Sequence, residues 1–221
     1  MQVLIIGASR GLGLEFVRQY RADGACVTAT ARDAAGLERL RALGATAFEL
    51  DVAGEPDAGA LSRSLDRGPY DIVVHNAGVY GPRTQGLQTP SREEFDLVMH
   101  TNLLGAMRVL PSLAAALAPG ARVALLSSRM GSIGLRSSSS GWLYRASKAA
   151  LNSVLKDAAL EWQGRALCVA LHPGWVRTDM GGSGAEIDAA TSVAGMRRVI
   201  GGLSAEDHGA FFDWSGARLA W

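Results

Sequence analysis

The stretch YRASK (144–148) sets a phenol and an ammonium four residues apart near the head of a helix-patterned run, YRASKAALNSVLKDAALEW. Residues at that spacing lie one helical turn apart on the same face, so Lys148 stands beside Tyr144. A free phenol has a pKa of about 10 and is a poor acid–base group at neutral pH. A unit positive charge roughly 4 Å away, at an effective dielectric near 20, is worth about 4 kcal/mol. That sets a ceiling of roughly three pKa units downward, and burial of the phenolate opposes it. A tyrosine so placed exchanges protons near neutral pH, as general acid–base catalysis requires. The same pair also decorates helices with no chemical role, so its meaning depends on the rest of the chain. Ser128 comes sixteen residues before the tyrosine, after the run VALLS. Its hydroxyl can donate to a carbonyl oxygen and hold it in place.

Such a pair needs a frame. The runs QVLII (2–6), ACVTAT (25–30), ATAFEL (45–50), YDIVVH (70–75), ARVALLS (121–127) and ALCVALH (166–172) are short and β-branched-rich, without strict alternation. Strands of that kind are covered on both faces, as parallel sheets require. Amphipathic stretches lie between them, such as GLGLEFVRQYRADG (11–24) and REEFDLVMHTNLLGAMRVLPSLAAAL (92–117). The alternation predicts βαβ units in an α/β fold, a doubly wound parallel sheet with helices on both faces. The 221 residues are 48% hydrophobic, and SSSSG (137–141) is the one low-complexity run. One domain is expected, large enough to bury roughly 70% or more of its unfolded surface.

A formal charge of +1 gives no handle for nucleic acid or a membrane surface. Cys26 and Cys168 each sit in an apolar run and are expected as packed thiols in a reducing compartment. The opening MQVLIIG has too short an apolar run and no basic lead-in for a signal peptide, and no segment approaches a membrane span. A soluble cytoplasmic protein is the expectation, with no metal at its site.

In VLIIGASRGLGLEF, Gly7, Gly11 and Gly13 follow the first strand and enter the first helix. Glycines there let the backbone turn tightly and approach a pyrophosphate at the helix N-terminus. In a chain with 27 glycines, the weight of the signal comes from that placement. The spacing is G-x-x-x-G-x-G. Together with HNAG (75–78), TN (101–102), SS (127–128), YRASK and PG (173–174), in register over nearly the whole chain, it resembles the short-chain dehydrogenase/reductase family. HPGWVRTDMGG (172–182) and GAFFDWSGARLAW (209–221) resemble its carbonyl-reductase subgroup, which includes Sniffer and the C-factor-like proteins. Ile6 and His75 depart from the family's usual threonine and asparagine; the first removes a hydroxyl that ties the loop to a neighbouring strand. The resemblance implies a single Rossmann-like domain over 1–221 with about seven strands. Its cofactor-binding half covers roughly 1–120, its catalytic and substrate-binding half roughly 121–221.

The resemblance also implies roles. Asn102, Ser128, Tyr144 and Lys148 form a proton relay. Ser128 is selected over Ser127, with Ser132 a weaker substitute. Asn102 kinks its helix and holds a water connected to the lysine. Gly7, Ser9, Arg10, Gly11, Leu12 and Gly13 form the phosphate loop, and Asp51 and Val52 flank the adenine. Asn76, Ala77 and Gly78 line the adenosine side. Pro173, Gly174, Val176 and Thr178 serve the carboxamide and phosphate end, and Tyr144 and Lys148 also meet the cofactor. The family's acidic position at the end of the second strand falls on Ala31, followed by Arg32. With Arg10 in the loop, two guanidiniums suit bidentate binding of a 2′-phosphate, so NADP(H) is favoured over NAD(H). Asp33 competes as a ribose acid, and we read it as the cap of the next helix.

The expected reaction is NADPH-dependent reduction of a small apolar carbonyl, an aldehyde, ketone or quinone. Tyr80, Met130, Leu135, Trp142, Trp175 and Met180 cluster near these motifs as a candidate substrate pocket. The Gly-rich GGSGAEIDAATS (181–192) is expected to act as a short mobile lid. The helix after Tyr144 is apolar nearly all round, with Ala149, Ala150, Leu151, Val154, Leu155, Ala158 and Trp162. Like the stretch Phe95–Leu110, it suits a subunit face, so a homodimer or homotetramer is expected. Two other readings stay open: a C-factor-like signalling or regulatory protein using the fold as a dinucleotide sensor, and an alcohol dehydrogenase working oxidatively. The extended epimerases and dehydratases need an added C-terminal substrate domain, for which 221 residues leave no room.

Overall fold

Val3, Leu4, Ile5 and Ile6 are all fully buried, which a strand achieves only with helices on both of its faces. In the computed structural model, which describes residues 1–54, 61 and 65–221, this strand is β1 (Gln2–Ile6). It leads to α1 (Gly11–Ala22), β2 (Cys26–Ala31), α2 (Ala34–Ala42), β3 (Thr46–Glu49) and β4 (Tyr70–His75). Then come α3 (Arg92–Met99), α4 (Gly105–Leu113), β5 (Leu117–Leu126), α5 (Trp142–Glu161), β6 (Ala166–His172), α6 (Ala189–Gly202) and β7 (Ala210–Asp213).

The strands form one seven-stranded sheet in the order β3-β2-β1-β4-β5-β6-β7, parallel throughout. Phe16 and Tyr20 of α1, Leu40 of α2 and Met196 of α6 pack on one face. Val109 and Leu113 of α4 with Leu151 and Leu155 of α5 pack on the other. The strand order reverses between β1 and β4, and a crevice opens beyond the carboxyl ends of strands at such a point. Among the described residues, no helix is long and apolar enough to cross a membrane.

Local chemistry sets several boundaries. Asp33 caps α2 by accepting from the Gly36 N–H at 2.7 Å, as its sequence context predicts. The run 92–117 is not one helix: a single π-helical turn, His100–Leu104, separates α3 from α4, and Leu117 already belongs to β5. The sequence pattern also missed β7, a four-residue strand inside the C-terminal aromatic segment. Cys168 is buried but Cys26 is exposed, because it opens β2 at the amino edge of the sheet, where the helices no longer cover the strand. Nor is α5 apolar all round: Leu151, Leu155 and Ala159 are buried, while Ser153, Lys156, Asp157 and Leu160 face solvent.

His75 ends the central strand β4 at 1% exposure. Neither ring nitrogen has a hydrogen-bond partner among the described residues. Burial, and secondarily the charge of Lys148, lower its pKa from 6.5 to about 4. Between those values the unfolded chain binds the proton and the folded chain does not, so stability is full above pH 6.5 and falls as the pH drops toward 4. This one group should cost about 2 kcal/mol by pH 5. Urea unfolding at pH 7 and pH 5 measures the loss, to which His172, also lowered by burial to about 4, contributes alongside. His75→Asn should remove about half of it, and an undiminished loss in that variant would refute the assignment.

Candidate active site

The loop after β1 is shaped by contacts that leave no room for side chains. Gly7 has φ +79°, and a Cβ there would lie 2.7 Å from Ala77 Cα, so only glycine fits. The hydroxyl that Ile6 lacks is supplied from the next strand: Thr30 Oγ1 accepts from the Gly7 N–H at 3.0 Å, and Thr30 O accepts from the Ala8 N–H at 2.7 Å. Asn76 Nδ2 donates to Gly7 O at 2.5 Å, and Arg39 Nε donates to Ser9 O at 3.0 Å. Helix α1 starts behind an extended Arg10 with no side-chain cap, so its first N–H groups are open to an anion.

A cleft runs along this edge. Gly7, Ser9, Arg10, Gly11, Leu12 and Arg32 line it on the loop side, and Val52, Asn76, Ala77, Gly78 and Thr178 on the other. Gly13 packs behind the loop, where a Cβ would meet Gly7 O at 2.4 Å. Asp51 is not a wall residue: its carboxylate turns out to accept from the Ala53 N–H, and Leu50 takes its place in the lining. Pro173, Gly174 and Val176 stand outside the lining as well. Pro173 O accepts from Ser192 Oγ at 2.6 Å, and Val176 bridges to Ile187. Ala31, at the family's acidic position, lines the cleft, and so do Leu50, Val79, Thr101 and Asp179, which had not been foreseen; apolar side chains such as Leu50 and Val79 carry no chemical signature. Arg10 is ion-paired with Asp179 at 2.8 Å. The narrow glycine floor, the uncapped helix and the flanking guanidiniums fit a phosphorylated dinucleotide.

At the inner end of the cleft, a Cβ on Gly78 would lie 3.3 Å from both Asn102 Oδ1 and Lys148 Nζ. The π-helical turn aims Asn102 inward, where it is wholly buried. It clasps Val79 through both backbone groups, accepting from the N–H at 2.7 Å and donating to the carbonyl at 2.8 Å. Its second N–H donates to Ser147 Oγ at 2.9 Å. Lys148 is 4% exposed, and its Nζ donates to Leu126 O at 2.8 Å. The lysine Nζ lies 5.8 Å from the centre of the Tyr144 ring.

Ser128 and Ser127 divide sharply. Ser128 Oγ accepts from the Met130 N–H at 3.1 Å, which leaves its own proton to donate. Ser127 Oγ donates to Asn152 Oδ1 at 2.5 Å and is buried. Ser132 is wholly buried and donates to the Ala220 and Trp221 carbonyls, a structural duty.

The charges differ from the sequence expectation. Burial drives Tyr144 up to about 12, with the Ser128 side chain opposing part of the rise. Burial also lowers Lys148 to about 8. The ammonium is engaged by the Leu126 carbonyl, and its Nζ lies 5.8 Å from the centre of the phenol ring. Desolvation wins here, and the resting pair is a neutral phenol beside an ammonium.

The candidate pocket residues scatter. Tyr80 stacks on Tyr144, and Met130 approaches Tyr80 over Gly141. Met180 lines the cleft. Trp175, 52% exposed, donates to Gly181 O within its own loop. Trp142 Nε1 donates to Gln88 O. Leu135 sits in the turn closed by Ser132, whose hydroxyl accepts its N–H. The expected lid is shorter than its sequence suggested: Asp188 accepts from the Thr191 N–H and starts α6, so 189–192 are helical. What remains is tied back at Trp175 and Arg177, whose backbones bond Glu186 and Ile187.

Residues 1–187 match the profile of the family described as short chain dehydrogenase. The chain is 39% identical over 165 residues to a protein called C-signal from Myxococcus xanthus, covering 73% of this chain and 99% of that one. Among solved structures, an NADPH-bound carbonyl reductase from chicken fatty liver superposes with a TM-score of 0.86 at 28% identity, covering 100% of this chain and 98% of its own. Carbonyl reductase Sniffer of D. melanogaster gives 0.83 at 29% identity, with 100% and 99% covered. Similarity over so much of the chain, on a sheet of this topology, means that the chain belongs to the short chain dehydrogenase family, as an oxidoreductase of the carbonyl-reductase subgroup.

Proposed function

We propose that the protein is a cytoplasmic NADPH-dependent reductase of small apolar aldehydes, ketones or quinones. One observation carries the reading: Tyr144, Ser128, Lys148 and Asn102 gather where the cleft ends at Gly78. A bound nicotinamide would supply the hydride that a carbonyl carbon must receive. Tyr144 holds its proton firmly at neutral pH, being raised to about 12, and gives it to the carbonyl oxygen as negative charge develops there. Ser128 Oγ, its lone pair engaged by Met130, directs its proton at the same oxygen. Lys148 stabilises the phenolate left behind, and Asn102 keeps the segment around Gly78 and Val79 in place. A resting neutral phenol suits a proton donor, which favours reduction over alcohol oxidation.

Arg32 and Arg10 support NADP(H), since Asp33 is spent on capping α2 and is withdrawn as a ribose acid. The exposed Phe95, Leu97, Met107 and Leu160 support a homodimer or homotetramer built on α3–α4 and α5. One domain spans the sequence in this reading.

The identity with C-signal keeps a second reading alive, a regulatory protein that senses a dinucleotide. NADPH oxidation measured over a panel of aldehydes, ketones and quinones, with NADH alongside, separates the two: binding without any turnover would favour the sensor. Tyr144→Phe should cut kcat by about 10²–10⁴-fold with NADPH affinity retained; an active variant would overturn the donor assignment. Arg32→Ala removes charge-assisted bonds to a phosphate and should weaken NADPH about 10–100-fold while leaving NADH nearly unchanged, as titration of cofactor fluorescence reads. Equal losses for both cofactors would refute that role.

A further inference from the structure

Tyr80 does more than border a pocket. Its ring stacks on that of Tyr144 with centroids 4.6 Å apart and planes 24° from parallel, an arrangement in which aromatic pairs attract. The guanidinium carbon of Arg83 lies 5.1 Å from the Tyr80 ring centre, within cation–π range. Arg83 also donates to Met180 O at 2.7 Å, reaching the loop after β6. Each ring of the pair therefore has its own cation, Arg83 at Tyr80 and Lys148 at Tyr144.

The segment bearing Tyr80 is fastened to the catalytic machinery at four points. Val79 is clasped by Asn102. Thr84 O accepts from the Gly141 N–H at 3.0 Å, and Gln88 O accepts from Trp142 Nε1 at 2.8 Å, both at the head of α5. Gly141 leaves the space for the Tyr80 hydroxyl, since a Cβ there would lie 2.6 Å from it. The fourth point is Met180.

We propose that Tyr80 and Arg83 are positioning residues: Tyr80 holds the Tyr144 ring in its reactive orientation, and Arg83 holds Tyr80 while tethering the substrate-side loop at Met180. A stacked ring is fixed in plane and rotamer, which sets where the phenolic oxygen points. The cation on Tyr80 strengthens that hold. The carbonyl of Met180 makes the arrangement sensitive to the loop, so loop position and donor orientation are coupled through one side chain. The inference rests on Tyr144 being the proton donor.

Tyr80→Leu removes the ring and should lower kcat roughly 10–100-fold, as misplacement of a reacting group does, with NADPH affinity within about twofold. Tyr80→Phe restores the ring and should recover most of the loss. Arg83→Met should lower kcat several-fold and raise KM; in the Tyr80→Leu background its kcat effect should vanish while the KM effect persists. Near-UV circular dichroism of wild type, Tyr80→Leu, Tyr144→Phe and the double variant reads the stack without turnover, and non-additive changes are expected. Additive spectra, or a Tyr80→Leu enzyme with unaltered kcat, would overturn the proposal. Non-additive spectra in a protein that reduces no carbonyl would leave the stack standing and remove the proposed function instead.

Discussion

Burying an ammonium is the constraint around which the carboxyl edge of this sheet is built. Lys148 is almost wholly removed from water, and a buried charge is tolerated only where polar groups receive it. The carbonyl of Leu126, left free at the end of β5, accepts its proton. Gly78 stays close because it carries no side chain. Asn102 reaches the same place only because one π-helical turn interrupts the run between α3 and α4, a device that recurs at functional sites. The strand end, the missing side chain and the helix defect all serve the one charge.

The same burial decides the chemistry. Coulomb attraction at close range would pull the phenol down, but desolvation acts on both partners and favours their neutral forms. Tyr144 rises and Lys148 falls. The site at rest therefore keeps its proton on the phenol oxygen, to be given up only to a neighbouring oxygen more basic than the phenolate. An exposed pair at the same spacing would be screened by solvent and would lack this property.

Much of this was legible in the sequence, and the gaps have physical reasons. Five of the six strands read from the sequence are largely buried runs with β-branched residues and leave a continuous apolar signature, while the edge strand β3, with no buried residue, was read from its place in the alternation. The seventh, Ala210–Asp213, has no β-branched residue in its sequence AFFD and so lacks that signature. The π-helical turn at His100–Leu104 escapes a pattern based on helical periodicity, because its neighbours on both sides keep the helical period. Tyr144, Lys148 and Ser128 stood out since their types imply chemistry at their spacing. Their actual distances depend on side-chain placement that spacing does not encode. The partnership of Tyr80 with Tyr144 joins the loop after β4 to the first turn of α5, far apart in the chain, and GVYGPR contains no local sign of it.

Arg10 shows how a residue's type can be legible while its partner is not. A guanidinium in a phosphate loop reads as an anion ligand, yet here it pairs with Asp179 on the facing loop, with both side chains more than half exposed. An ion pair that open is worth about 0–1 kcal/mol, whereas charge-assisted hydrogen bonds to a phosphate are worth about 1.5–3 kcal/mol. A pair that weak puts up little resistance to another anion arriving at Arg10. Asp179 adjoins Met180, the residue that Arg83 holds. Arg10 and Arg83 thus hold adjacent residues of one loop from two sides, the first by an open ion pair and the second through a backbone carbonyl.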